Sequence, residues 1–292
     1  MSLLSIFDAA DYLSELLHRA EELKKGAAPR RADGKTLGLL FEKASTRTRV
    51  SFEVAMTHLG GHSIYLNPQD TQIGRGETVA DTAMTLSRYL DAVAIRAFKH
   101  SSLMEFAAHS TIPVINALTD REHPVQALSD LLTIKEKKGG FDVKLAYVGD
   151  GNNVCNSLIG GAALVGMEMA VATPKGYEPD PEVVRKAKAI SDRIEVMEDP
   201  HAAVSGAEII YTDVWISMGQ EEEKTKRIRD FRGYQVNREL VERSDDALIM
   251  HCLPAKRGLE ITEDVLDSPA SIVFDQAENR LHMEKALLER LL

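Results

Sequence analysis

The chain of 292 residues contains only two cysteines, Cys155 and Cys252. They fall on different expected elements and show neither metal-ligand spacing nor a disulfide framework, so a cystine-stapled or zinc-built fold is excluded and a reducing cytoplasm fits. No long hydrophobic run is present. The longest, Leu158 to Met167, is well short of the roughly 20 residues that span a bilayer. The early acids Asp8, Asp11 and Glu15 do not fit a signal peptide. There is no repeat, no low-complexity tract and no linker rich in proline or serine. Basic excess is also lacking. A net charge of −10 argues against a broad nucleic-acid surface, so any basic site must be local.

What is present is ordinary globular material, 44% hydrophobic and 27% charged. At about 150 residues per domain the length suits two domains. Short apolar runs alternate with amphipathic stretches throughout, which predicts parallel, helix-covered sheets. In the first half the strands are Thr36–Phe41, Gly60–Leu66, Ala92–Ile95 and Pro113–Ala117, with helices over 8–25, from Ser45, over 78–89 and from Pro124. In the second half the strands are Val143–Val148, Glu168–Thr173, Ile194–Met197, Glu208–Thr212 and Ala247–Cys252. Helices are expected at Pro181–Ile190 and Gln235–Arg243, and a last one carries Leu281, Leu287, Leu288 and Leu292.

The stretch Ser45-Thr46-Arg47-Thr48-Arg49 stands between a strand and a helix whose apolar stripe is Phe52, Ala55, Met56 and Leu59. Ser45 sits where an N-cap belongs. Free backbone N–H groups, the helix dipole, hydroxyls and a guanidinium together make an anion site suited to phosphate. A serine alone would mean no more than a capped helix. Further along, Arg96 ends a strand, and His123 precedes Pro124 at a helix start with Gln126 on the same end. Each of these is ambiguous alone. Together they line one crevice for a small phosphorylated ligand.

In the second half, Gly149-Asp150-Gly151-Asn152-Asn153 half resembles a dinucleotide fingerprint. The third glycine is missing, and Ala172-Thr173-Pro174 stand where a ribose-binding acid belongs, so a nicotinamide enzyme is the weaker reading. Asp213 follows a strand and is able to accept from an amine. Ser217-Met218-Gly219 reads as a loop that closes over a ligand. Cys252 ends the last strand before Leu253-Pro254, and His251-Cys252 is not a zinc pair, for want of further ligands at suitable spacing.

Taken together, Ser-Thr-Arg-Thr-Arg, His-Pro-x-Gln, Asp-Gly-Asn-Asn, Asp-Val-Trp-x-Ser-Met-Gly and His-Cys-Leu-Pro resemble the carbamoyltransferase family, over nearly the whole chain. The last three resemble its ornithine branch. An aspartate-specific member is not expected to carry Ser-Met-Gly or this cysteine, and a putrescine enzyme is expected to differ at Ser-Met-Gly. Val125 departs from the many relatives with cysteine there.

The resemblance implies two Rossmann-like α/β domains, 1–134 for carbamoyl phosphate and 135–274 for ornithine, with a C-terminal helix over 275–292 returning to the first. It implies transfer of a carbamoyl group to the δ-amine of L-ornithine, giving citrulline, in arginine biosynthesis. Putrescine or aspartate is the alternative acceptor. Carbamoyl phosphate would be held by Ser45, Thr46, Arg47, Thr48, Gln72, Arg96, His123 and Gln126. Ornithine would be held by Asn153, Asp213, Ser217, Met218, Cys252 and Leu253. The catalytic set would be Arg96, His123, Cys252, Arg280 and Asp213, with no metal and no organic cofactor. It further implies a homotrimer, or an assembly of trimers, in which Gln72 reaches a neighbour's site, and a cis Leu253–Pro254 bond. No nucleic-acid or membrane partner is expected. An inactive, ligand-binding relative would be signalled by loss of Arg47, Arg96, His123 or Cys252, and all four are present.

Overall fold

A computed structural model describes residues 1–67, 76–217 and 219–292. Gln72 and Met218 of the expected site lie outside these. The chain divides into two compact units, residues 1–132 with 278–292, and residues 133–277.

In the first unit the elements in order are α1 (Leu13–Lys24), β1 (Thr36–Phe41), α2 (Arg47–Leu59), β2 (His62–Leu66), α3 (Val79–Leu86), β3 (Ala92–Arg96), α4 (His100–His109), β4 (Val114–Leu118) and α5 (Pro124–Lys138). The sheet is wholly parallel, in the order β2-β1-β3-β4. Strands β1 and β3 are buried almost throughout, as expected where helices cover both faces, whereas the edge strand β2 is half exposed. The stripe expected on α2 is the buried one. Phe52, Ala55, Met56 and Leu59 are all fully enclosed, each large side chain contributing roughly 1.5–3 kcal/mol.

The second unit continues with β5 (Lys144–Val148), α6 (Asn153–Val165), β6 (Glu168–Ala172), α7 (Pro181–Ile190), β7 (Ile194–Met197), α8 (Pro200–Val204), β8 (Ile209–Thr212), α9 (Lys224–Asp230), α10 (Arg238–Val241), β9 (Leu248–His251), α11 (Glu263–Leu266) and α12 (Val273–Leu291). Its parallel sheet has the order β7-β6-β5-β8-β9. Helix α6 is buried on every side from Val154 to Ala163, which explains its nearly unbroken apolar sequence. As the sequence led us to expect, the last helix rejoins the first unit. From Glu278 onward α12 belongs there, and Glu289 takes Arg19 of α1 at 2.7 Å.

Helix α3 stops at Leu86, short of the expected residue 89, and two other helices depart further from the sequence pattern. In place of one helix over 8–25, a 3-10 turn, Ile6–Ala9, precedes α1. A capping box between Ser5 and Asp8 starts that turn, and Leu3 just before it bridges Ile115 of β4 in parallel. The segment is an edge attachment of the sheet rather than the first turn of a long helix. The helix expected over Gln235–Arg243 contracts to the four residues of α10. Asn237 caps its start, and Val236 is tied instead to Glu260 through a backbone bond of 2.8 Å. No helix among the described residues is long and apolar enough to cross a membrane.

Candidate active site

Sheet topology picks out where each unit binds. In an open parallel sheet the strand order reverses at one point, and connections leaving the carboxyl ends on either side diverge, opening a crevice. In the first unit the reversal lies between β1 and β3. In the second it lies between β5 and β8. Ser45 to Thr48 follow β1, and Arg96 ends β3. Asn152 follows β5, Asp213 follows β8 and Cys252 follows β9.

The candidate anion site of the first unit begins at Ser45, whose hydroxyl accepts the Thr48 N–H at 3.3 Å. Thr46 already has helical dihedrals and offers no side-chain cap, so Ser45 serves as the cap the sequence placed there. Ser45 and Arg47 remain half-exposed and Thr46 is exposed, which leaves them accessible to a ligand. Arg96 is buried at a register shift between β3 and β4.

Around it the fold assembles groups far apart in sequence. Arg280 of α12 donates through Nη1 to Gln126 Oε1 at 2.6 Å and through Nη2 to Thr48 Oγ1 at 3.3 Å. Gln126 in turn donates to Asp130 at 2.8 Å. This fixes the amide with its oxygen toward Arg280, and that oxygen keeps a second lone pair. Burial holds the His123 pKa well below the usual histidine value, and the cations of Arg280, Arg96 and Arg47 lower it further. The imidazole is therefore neutral at neutral pH. It can polarise a carbonyl oxygen by donating one N–H without bringing a further positive charge.

In the second unit Asp213 is the hub. Cys252 Sγ donates to its Oδ1 at 3.0 Å, and Asn152 Nδ2 donates to its Oδ2 at 2.8 Å. Asn152 also caps α6, its Oδ1 accepting from Val154 and Cys155 N–H at 3.0 and 3.1 Å. Asn153, the residue the sequence reading favoured, is the first helical residue beyond that cap. Asn152 is thus a candidate site residue that sequence reasoning missed. Its signal was the spacing of an Asn two residues before the apolar run of α6. Ser217 is placed by reciprocal bonds with Gln220: its N–H donates to Oε1 at 3.0 Å, and Gln220 N–H donates to its carbonyl at 3.1 Å. Trp215 and Ile216 anchor the loop by packing with Phe231.

Leu253 stands at φ +57°, in the left-handed region that non-glycine residues seldom occupy. The Leu253–Pro254 bond is cis, as expected. Leu253 N–H donates to His251 Nδ1 at 2.9 Å, which leaves Nε2–H to meet Glu260 at 3.1 Å. The fold also supplies a third potential metal ligand that sequence spacing did not reveal. Asp213, His251 and Cys252 bring their ligand atoms within 4.8 Å of one another. The one ring lone pair of His251 is already engaged by Leu253, so the cluster is better suited to binding an amine than to coordinating an ion. The other thiol, Cys155, is fully buried, and its pKa is pushed well up by burial, which makes it inert. Asp150, beside the hub, is salt-bridged to Arg227 at 2.9 Å, yet burial leaves its pKa raised to about 6.

Comparison with known proteins finds matches in two consecutive parts of the chain. Residues 2–136 match the carbamoyl-P binding domain of the aspartate/ornithine carbamoyltransferases, and residues 141–291 match their Asp/Orn binding domain. The chain is 55% identical over 297 residues to the ornithine carbamoyltransferase of Archaeoglobus fulgidus, covering 99% of this chain and 97% of that protein. It is 51% identical over 298 residues to the catabolic ornithine carbamoyltransferase of Thermoplasma acidophilum, covering 99% and 98%. The structure of the Pyrococcus furiosus ornithine carbamoyltransferase superimposes with a TM-score of 0.95 at 51% identity, over 100% of this chain and 96% of that one. The chain belongs to the aspartate/ornithine carbamoyltransferase family.

Proposed function

We propose that the protein transfers the carbamoyl group of carbamoyl phosphate to the δ-amine of L-ornithine, releasing citrulline and phosphate. The observation that carries this reading is the buried His123 beside Arg47, Arg96 and Arg280, with Arg280 bonded to Thr48 at the start of α2. Residues 1–134 hold the donor and residues 135–274 the acceptor. The α2 amino end, with Ser45, Thr46, Arg47 and Thr48, binds the phosphate. Arg96, His123 and Arg280 stabilise the carbonyl oxygen as it gains charge. Gln126 orients the carbamoyl amide through its free lone pair. Asn153, Asp213, Ser217, Met218, Cys252 and Leu253 bind ornithine, with Asn152 holding the Asp213 carboxylate in place.

The amine attacks the carbonyl carbon directly. The new C–N bond forms as the C–O bond to phosphate breaks, and the proton the nitrogen sheds leaves with phosphate or solvent. An alkylamine has a pKa near 10.4, so exclusion of water has to favour its neutral form first. No covalent enzyme intermediate is required. Positioning and oxyanion stabilisation supply the rate.

The acceptor assay tests this. Ornithine should give citrulline with kcat/KM far above that for putrescine or aspartate, and parity of either with ornithine sinks the assignment. The direction we favour is biosynthetic. Growth of an arginine-requiring strain lacking this activity, once supplied with the gene, checks it. We further infer a cytoplasmic homotrimer, or an assembly of trimers, with Gln72 reaching a neighbouring site. Exposed apolar residues concentrate in the first unit, at Val50, Ile64, Met84, Tyr89, Phe98 and Met104, which supports contact there between copies.

A further inference from the structure

One buried acid of the first unit has no part in the scheme above. Glu284 lies one helical turn beyond Arg280 on α12 and is completely enclosed. Its Oε1 accepts from Arg280 Nη2 at 2.7 Å. Its Oε2 is equally buried and has no hydrogen-bond partner among the described residues. Ser51 of α2 stands beside the carboxylate and lowers its pKa somewhat, although its hydroxyl also donates to the Arg47 carbonyl at 2.8 Å. The hydroxyl oxygen retains lone pairs. A carboxylate oxygen sealed away from water without a geometric hydrogen-bond partner is stabilised by a proton of its own.

We propose that Glu284 is a positioning residue that holds the Arg280 guanidinium in the donor site and takes up a proton as the dianionic carbamoyl donor binds. This rests on the reading of the first unit as the carbamoyl phosphate site. While ionised, Glu284 offsets much of the Arg280 charge. A dianion arriving near Arg280 favours the uncompensated cation. The proton comes from solvent and goes to Oε2, while Oε1 keeps its bond to Arg280, so the guanidinium stays aimed at Gln126 and Thr48. Burial pushes the Glu284 pKa up to about 7 against the lowering effect of Arg280 and Ser51, so the group is poised to change state near neutrality.

The other titratable or charged groups tied to Arg280 are His123, which also feels Arg47 of α2 and Arg96 of β3, and Asp130 of α5, reached through Gln126. His123 stays neutral in this range. Asp130 accepts from Gln126 and is separated from Glu284 by the Gln126–Arg280 pair. Comparing the wild type with Glu284→Gln cancels their titration and that of the ligand.

The experiment measures KM for carbamoyl phosphate at saturating ornithine from pH 6 to 8.5 in both proteins. Glutamine keeps an acceptor for Arg280 but cannot ionise. The ratio of wild-type to variant KM should be near unity at pH 6 and rise roughly three- to tenfold by pH 8.5, since one unit of pKa coupling is a factor of ten. A second measurement needs no variant. Calorimetric titration of the wild type with carbamoyl phosphate at pH 7.5, in two buffers of different ionisation heat, should show uptake of a fraction of a proton. A pH-independent ratio, whatever its value, overturns the proposal, as does binding by the wild type without proton uptake. Failure of the wild type to bind carbamoyl phosphate at all would overturn the donor-site reading itself.

Discussion

Replacing Gly151 with alanine tests whether the turn after β5 is built as described. The Gly151 φ lies outside the left-handed region, so a methyl group brings no backbone strain of its own. Its cost is contact. A β-carbon there falls 2.6 Å from the Tyr177 carbonyl oxygen and 2.5 Å from the Glu178 carbonyl carbon, and it also meets the Pro179 nitrogen. These are backbone atoms, and comfortable separations between carbon atoms are about 3.5–4.0 Å, so the 177–179 segment has to retreat by about an ångström. That movement breaks the bond of 2.9 Å from Gly151 N–H to the Tyr177 carbonyl. Overpacking costs about 1–3 kcal/mol and the lost hydrogen bond about 0.5–1.5, together about 2–4 kcal/mol. A domain stable by about 5–15 kcal/mol feels such a loss strongly.

Urea unfolding followed by circular dichroism should show the midpoint fall, and the displaced Asn152 should raise KM for ornithine while KM for carbamoyl phosphate stays the same. Gly166→Ala is the control. Its φ is +69° with open space around it, so only the backbone penalty of about 1–2 kcal/mol applies, without the ornithine effect. An unchanged midpoint and an unchanged ornithine KM in Gly151→Ala would falsify the close approach of the two loops.

Asn152→Ala removes the α6 cap, worth about 1 kcal/mol, and frees the Asp213 carboxylate. KM for ornithine should rise about tenfold, equivalent to about 1.4 kcal/mol, and an unaltered KM would leave Asn152 with a capping role alone. Asp150 has its pKa raised to about 6 from 3.8, so the folded state binds the extra proton between those values. Its contribution to stability is complete below 3.8 and is lost as pH rises through 6, by up to about 3 kcal/mol. Asp150→Asn should therefore gain stability relative to wild type between pH 4 and 7 in urea titrations, and parallel profiles refute the assignment. Arg47→Ala should nearly abolish turnover and Gln72→Ala should weaken carbamoyl phosphate binding. Hybrids reassembled from the two should recover a minority of wild-type activity, whereas activity equal to the parental mean places Gln72 within its own subunit. Light scattering should return the mass of a trimer or a multiple of one, and a monomer mass removes the shared-site proposal.

Much of this protein is legible locally. Strands covered on both faces are continuous apolar runs, and α2 announces itself by Ser45 and the spacing of Phe52, Ala55, Met56 and Leu59. These signals are short-ranged, because backbone propensity, capping and side-chain periodicity act over a turn or two. The motifs Ser45–Arg49, His123–Gln126 and His251–Pro254 were readable for the same reason, each being contiguous. Where local signals competed, the pattern overshot. The apolar residues before α1 and after Tyr234 were taken up by sheet-edge and loop pairing that periodicity cannot distinguish from helix.

Tertiary structure alone decided the rest. Arg280 meets Gln126 and Thr48 across 154 and 232 residues, and Asp213 meets Asn152 and Cys252 across 61 and 39. Those pairings depend on strand order, which places the ends of β1 and β3, and of β5 and β8, at a reversal. Strand order is selected by packing helices over whole sheets, a collective property with no counterpart in any short window of sequence. Burial follows from the same packing. It keeps His123 neutral, raises Asp150 and encloses Glu284, and none of these protonation preferences is written in the residue type, because each comes from the water the folded chain excludes.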